Sequence, residues 1–449
     1  MMQKTIHFYS EGLRLAGNLY LPEDIVLGKK YPAIIVGGSW TTVKEQMSGA
    51  YAKRLSKHGF ITLAFDPRYF GESEGQPRYW ENPEAKITDY ANAISYLQTL
   101  NEVNPEGIFL TSVCASAGYM AVLAAKDDRI KGIAMVAAWL HDANAVRLIY
   151  GGEQGVQNKI NAAQKAYQIF SETGEVTYIP VISTTDTSAA MFGEYDYYLN
   201  AKRGAVPQWN ADKFAVMSWE GWLTFNPMPL ATAVMQPVLM VHADDAVLSE
   251  NAKQFFAAIP HTQKVLHWTE GTQFDFYDNP LQLTEAVAAV SVFFKSVLVS
   301  SGFQENSNGI IRQINKLFTG VDDRNWQEVM SVMYETVLLD YSSMNGNPAN
   351  MLTPKEITDA WAAFLPGFDK TYHQLSQFEL QPLGTHLTAH FKGLAEHWLG
   401  DECWTVEGSY DMVFNFINGV WLLTEMKFNF EKQNGNTELP GLITTRINK

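Results

Sequence analysis

Over its first 300 residues the chain alternates short apolar, β-branched runs with stretches of helical spacing. The runs "YPAIIVGG", "FITLAFD", "GIFLTSV", "IKGIAMVAAW" and "PVLMVHAD" lack the polar alternation of a half-exposed strand. Each therefore predicts a strand buried on both faces. Between them, "QMSGAYAKRLSKHG" and "KITDYANAISYLQTL" carry apolar positions every three or four residues. Strands alternating with helices predict an α/β domain with a doubly wound, mostly parallel sheet. Residues 142–232 break this rhythm. A long helical pattern, "GGEQGVQNKINAAQKAYQIF", is followed by Trp209, Trp219, Trp222 and Phe225. The stretch is too long for a loop and predicts an inserted cap whose aromatic residues line a pocket or pack the cap on the sheet.

Near "VLVSSGFQENSNG" (297–309) the pattern turns polar, with Ser, Asn and Gly crowded together, and predicts a linker. Beyond it the periodicity changes. Helical stretches ("IIRQINKLF", "NWQEVMSVMYE", "PKEITDAWAAFL") precede long alternating runs ("TYHQLSQFELQPL", "THLTAHFKGLAEHW", "CWTVEGSYDMVFNFI", "VWLLTEMKFNFEK"). Helices followed by a curled antiparallel sheet predict an α+β domain. The expected division is 1–300 and 301–449.

Composition narrows the functional classes. The chain has 449 residues, 46% hydrophobic and 18% charged, enough apolar material for large cores. Its net charge of −15 argues against nucleic acid or an anionic membrane as partner. No apolar run is expected to reach the ~18 residues of a membrane span. The N-terminus lacks a signal pattern, and cytoplasmic residence is expected. The two cysteines, Cys114 and Cys403, lie far apart and read as reduced thiols. No Cys/His cluster has metal-ligand spacing, so neither metal nor cofactor is called for.

The chemistry concentrates on "LTSVCASAGYM" (110–120). A strand running through small residues into a helix lifts one side chain above the sheet, at the positive end of the helix dipole. Cys114 and Ser116 both fit that position, and the helix end is expected to lower the thiol's pKa. Oxyanion donors are expected from the backbone N–H of Ala115 and from "GGSWTT", near Ser39 or Trp40. Asp244 or Asp245, after "PVLMVHAD", suits the acid. The later stretch "EGTQFDFYD" offers Gln273, which hydrogen-bonds but cannot take a proton at neutral pH. His141, in "AAWLHDA", could face the same crevice and activate a thiol, with Asp142 or Asp244 orienting it. His242 and His267 sit within or beside strands. Trp139, Trp219, Trp222 and Phe225 are candidate substrate-binding residues.

These residues resemble the α/β-hydrolase superfamily over roughly 1–300. "TVKEQMSGAYAKRL" and "FDPRYFGESEG" are similar to segments of its dienelactone-hydrolase-like branch. The resemblance implies that the elbow can carry cysteine, favours Asp244 as the acid and implies a histidine at the place where Gln273 stands. It also implies hydrolysis of an ester, thioester or lactone of a small apolar molecule. Residues 306–449 resemble the SnoaL-like group of nuclear-transport-factor-2-like cone folds, through "INKLFTGVDDRNWQEVMSVM", "LLDYSS", "EITDAWAAFLPGFDKTYHQL" and the closing strands. That likeness implies a conical cavity, with Tyr341, Trp361, His373, Trp404, Tyr410 and Trp421 as candidate lining residues. It also implies a homodimer paired through the sheets. Two other functions remain open: a catalytically impaired binding module, for which Gln273 speaks, and cyclase- or isomerase-type chemistry in the cone with His373 as acid/base.

Overall fold

The computed structural model describes residues 2–383, 386–417 and 419–447, side chains excepted at 301–305, 382–383 and 444–447. The chain divides into two compact units, Met1–Leu298 and Val299–Lys449.

Unit one is built on an eight-stranded sheet. Its strands are β1 (Met2–Ser10), β2 (Leu13–Leu21), β3 (Tyr31–Gly37), β4 (Ile61–Phe65), β5 (Val103–Val113), β6 (Ile130–Val136), β7 (Val238–Ala243) and β8 (Lys264–Thr269). They are ordered β1-β2-β4-β3-β5-β6-β7-β8. Pairing is parallel from β4 through β8, and β1 and β2 join antiparallel at one edge. The five apolar runs are β3 to β7, buried on both faces because helices cover both sides. One of these helices, α1 (Pro83–Gln98), starts where Asn82 accepts the Ala85 N–H and Pro83 fills the first turn. A second, α2 (Ser116–Ala124), follows β5 directly.

Between β6 and β7 lies the cap. It contains α3 (Gly152–Thr173), α4 (Ser218–Thr224) and short two-residue strands. Its aromatic residues form a stack on the sheet's rim. Trp40 lies 4.8 Å from Phe214, 5.9 Å from Trp219 and 5.3 Å from Trp222 between ring centres.

The polar stretch 297–309, expected as a linker, is helical throughout, part of α5 (Pro280–Asp322). Its Ser, Asn and Gly residues cost up to about 1 kcal/mol each against alanine. The turns on either side are anchored: Phe294 stacks on Phe109 at 4.4 Å in unit one, and Ile310, Ile314 and Leu317 are buried in unit two. Pro280–Ser300 is long and apolar enough, by length and composition, to cross a membrane. Its buried face includes Phe294 and Val290, packed in the unit-one core.

Unit two carries a six-stranded sheet made of β9 (Met333–Asp340), β10 (Asn350–Leu352), β11 (Lys370–Leu383), β12 (His386–Leu399), β13 (Glu402–Ile417) and β14 (Val420–Gly435). The order is β10-β9-β14-β13-β12-β11, with β9 and β14 parallel and the other pairs antiparallel. The helical reading of "NWQEVMSVMYE" stops short: the helix ends at Ser331 and β9 begins at Met333. The helix α6 (Pro354–Phe364) opens with a Thr353–Glu356 capping box.

Candidate functional site

The turn between β5 and α2 holds Cys114 at φ 63°, a left-handed conformation that costs a non-glycine residue energy. Crowding maintains it. A Cβ on Gly37 would lie 2.6 Å from the Ser116 Cβ, so only glycine lets β3 pass this close to the start of α2. Cys114 lies at the edge of a cavity of about 520 Å³. Ser116 does not reach it. Its hydroxyl is fully buried, accepts from the Val113 N–H at 3.1 Å and donates to the Val113 carbonyl at 3.1 Å. Three residues of separation turn its side chain back into the elbow.

The Ser39 and Tyr277 hydroxyls and the backbone N–H groups of Ala115 and Trp40 lie around the Cys114 sulfur and favour its charged form. Burial outweighs these donors and pushes the thiol's pKa up. This reverses the expectation of a thiol lowered by the helix end. The side chain lies only 4% exposed, and the charged form loses more hydration than the dipoles return.

The hydroxyls form a chain. Tyr198 donates to Ser39 Oγ at 3.0 Å, and the Tyr277 hydroxyl lies 3.3 Å from the same oxygen. Gln273 Nε2 donates to the Tyr277 hydroxyl at 3.3 Å and to the Ala137 carbonyl at 2.9 Å, while its Oε1 accepts the Val247 N–H at 3.1 Å. The glutamine amide is thus held at both ends.

No imidazole is among the sulfur's partners. His141, the proposed substitute base, is committed elsewhere. Its Nδ1 accepts the Trp139 indole N–H at 2.9 Å, which places the proton on Nε2, 3.1 Å from the Trp222 carbonyl. Neither nitrogen has a lone pair left for a thiol proton. Burial also lowers its pKa to about 4. His242 is buried against the Ala138 and Ala243 carbonyls, and His267 pairs with Glu285 at 2.7 Å. Asp244 points to solvent, 72% exposed, and pairs with Lys253 at 3.0 Å. Its Oδ1 is thereby turned away from Gln273, whose Oε1 takes a backbone N–H instead.

Trp139 and Trp222 line the cavity. Trp219 and Phe225 do not: Trp219 is packed between Trp40, Phe214 and Tyr150, and Phe225 lies against Tyr119 and His141. Both serve the seam between cap and sheet. Sequence reasoning missed Tyr198 and Tyr277. A phenol four residues after Gln273 was the available signal, since (i, i+4) positions share a helical face. Tyr198 has no local mark at all.

Behind the wall of the site, Thr41 (φ 60°) donates its N–H to Glu81 Oε2 at 2.9 Å. Glu81 also binds Lys86 Nζ at 2.7 Å and the Tyr119 hydroxyl at 2.7 Å, all in a dry interior. This network fixes the strained step after Trp40. Among the described residues no group of three or more His, Cys, Asp or Glu side chains could hold a metal ion.

Unit two has its own cavity, of about 280 Å³, lined among others by Tyr341, Trp361, His373, Trp404 and Tyr410. His373 Nδ1 lies 2.7 Å from Asp322 Oδ1, and the His373 N–H donates to Asp322 Oδ2 at 2.8 Å. Burial pushes the Asp322 carboxyl up, but the bonds from His373 and Thr371 outweigh it and hold it below the usual carboxylate range. His397 lines the same cavity with its Nδ1 unpartnered among the described residues, and burial lowers its pKa to about 4. Trp421 lies elsewhere, its indole N–H on Asn306 Oδ1 at 3.3 Å. Asp322 and His397 were not singled out from the sequence, because nothing local in "GVDD" or "AEHW" reveals which side chain a facing strand will meet.

Residues 305–427 match the SnoaL-like domain family. The uncharacterized protein PA2218 of Pseudomonas aeruginosa is 31% identical over 60% of this chain and 73% of its own length. The thiohydrolase aneE of Aspergillus aculeatus is 29% identical over 58% of this chain and 82% of its own. Among solved structures, the α/β hydrolase GrgF from Penicillium sp. sh18 superimposes with a TM-score of 0.57 at 18% identity, covering 67% of this chain and all of that one. The chain belongs to the family of PA2218, with an α/β-hydrolase fold in its first unit and a SnoaL-like domain in its second.

Proposed function

We propose that unit one transfers acyl groups from thioesters through Cys114, releasing them to water or to a small nucleophile. The observation that carries this reading is the strained elbow that sets the Cys114 sulfur against the Trp40 and Ala115 N–H groups in an aromatic cavity. A bound acyl carbonyl displaces the sulfur's claim on those two donors and places its developing oxyanion there. Sγ bonds to the acyl carbon as the bond to the leaving sulfur breaks. The Cys114 proton passes to the Tyr277–Ser39 hydroxyls, which hand one on to the departing thiolate. One thioester is exchanged for another, so the step needs no strong base, and Gln273 suffices to orient Tyr277. Release to water does need a base. Deacylation is therefore the slow step unless the acceptor is a better nucleophile. The name of the relative aneE, a thiohydrolase, supports the same class of substrate.

The test is a burst experiment with p-nitrophenyl acetate. The expected result is fast release of about one nitrophenol per chain, then a slow phase, with the acyl group found on Cys114 by mass spectrometry and lost in Cys114→Ala. Absence of any adduct on Cys114 overturns the reading and leaves a binding module.

A second reading belongs to unit two, where His373, paired with Asp322, lines an aromatic cavity. We propose that it moves a proton on a small apolar ligand. NMR titration of the His373 ring in the full chain, with and without Asp322→Asn, reads the coupling. An unchanged titration refutes the pairing.

A further inference from the structure

One cation lines the unit-one cavity without a partner among the described residues. Lys159, on α3 of the cap, lines the cavity with its ammonium 4.4 Å over the Trp219 ring. It makes no ion pair or hydrogen bond among the described residues, and it is the one charged residue among those lining the cavity. Trp40 is 7% exposed and lines the same cavity, and its indole N–H has no partner among the described residues. The Trp219 ring under the ammonium belongs to the seam and packs 5.9 Å from the ring of Trp40, which lines the cavity.

A half-buried ammonium over an aromatic face is only partly compensated by the cation–π contact. Burial lowers its pKa, with no opposing charge nearby. An unpaired ammonium in a cavity lined by no carboxylate calls for an acceptor oxygen from the ligand. One cation matches a single negative charge. A carboxylate fits this count, whereas a phosphate dianion would remain half neutralised.

We propose that Lys159 binds a carboxylate at the far end of the acyl group, so that the preferred substrates are monoesters or monothioesters of dicarboxylic acids; this rests on the acyl-transfer reading of Cys114. Lys159 is a specificity residue and takes no part in bond making.

The experiment compares p-nitrophenyl hydrogen adipate with its neutral methyl-capped analogue on the full chain. The wild-type chain is expected to show a KM for the anionic ester about tenfold below that of the capped one, with similar kcat. Lys159→Met raises the KM of the anionic ester by that factor and leaves the capped ester within about twofold, and Lys159→Arg keeps the preference. Equal KM values in the wild-type chain overturn the proposal, as does a loss in Lys159→Met that falls on both esters alike. Calorimetric binding of p-nitrophenyl hydrogen adipate to Cys114→Ala separates the two readings. Lys159-dependent binding without turnover by the wild-type chain sinks acyl transfer and keeps the anion site. Turnover of the capped ester without Lys159-dependent preference does the reverse.

Discussion

Gln273 stands where a base would stand, and the hydrogen-bond directions around it decide what a repair would do. Its Oε1 accepts a backbone N–H from Val247, and its Nε2 donates toward Tyr277. A histidine placed there by Gln273→His would meet the same donor. Its Nδ1 would accept from Val247, leaving the proton on Nε2, the nitrogen aimed at the hydroxyls and the thiol. That tautomer cannot take a proton from Cys114. Asp244, which could turn the tautomer round, is held in solvent by Lys253. The expected gain in deacylation rate is therefore far below the ~10²–10⁴ that a working base contributes. Single-turnover decay of the acyl-enzyme measures it, and a hundredfold acceleration would refute the argument. The elbow cysteine was legible in the sequence because small residues flank it at the end of an apolar run. The phenols that serve it were not, because Tyr198 and Tyr277 come together only when the cap folds over the sheet.

At the scale of elements, the two backbone N–H groups proposed to hold the oxyanion depend on different supports. Ala115 is fixed by the start of α2. Trp40 is followed by a left-handed Thr41 that only Glu81 holds by its N–H, across 40 residues of sequence. Glu81→Gln keeps the shape but strands the Lys86 ammonium, 4% exposed, without its carboxylate. Breaking one side of such a buried pair costs about 3–5 kcal/mol. The expected outcome is a large fall in the unit-one melting temperature. Acylation of Cys114 should also slow, mainly through kcat, because the Trp40 N–H loses its orientation. Retained stability with unchanged acylation would show that the strain at Thr41 is carried by the loop alone. The sheet's centre could be read from five apolar runs, but its edges could not. β1 and β8 are largely half-exposed or exposed along their length, and an edge strand has no second buried face to write a continuous pattern. The cap was visible as a break in rhythm, yet which of its tryptophans face the cavity depended on packing. Trp222 faces it and Trp219 braces the seam.

Across the whole molecule, burial keeps histidines neutral in both units: His242 is lowered in unit one, and His141 in unit one and His397 in unit two are both lowered to about 4. An unfolded histidine titrates near 6.5. Below that value the unfolded chain takes up a proton that the folded chain refuses, so stability is full above about pH 6.5 and is lost as pH falls toward 4. At pH 5 His141 and His397 each account for up to about 2 kcal/mol of lost stability relative to neutral pH. Asp322, lowered in its folded state, adds to the loss only at more acid pH, near and below its ordinary value. His141→Gln offers a clean test, because a glutamine can accept from the Trp139 indole and donate to the Trp222 carbonyl without titrating. Thermal unfolding followed from pH 7.5 to 5 should show a shallower acid dependence for unit one in that variant and an unchanged dependence for unit two. A parallel His397→Gln variant should do the opposite. If neither substitution alters its unit's slope between pH 6.5 and 5, neither His141 nor His397 sets the acid sensitivity.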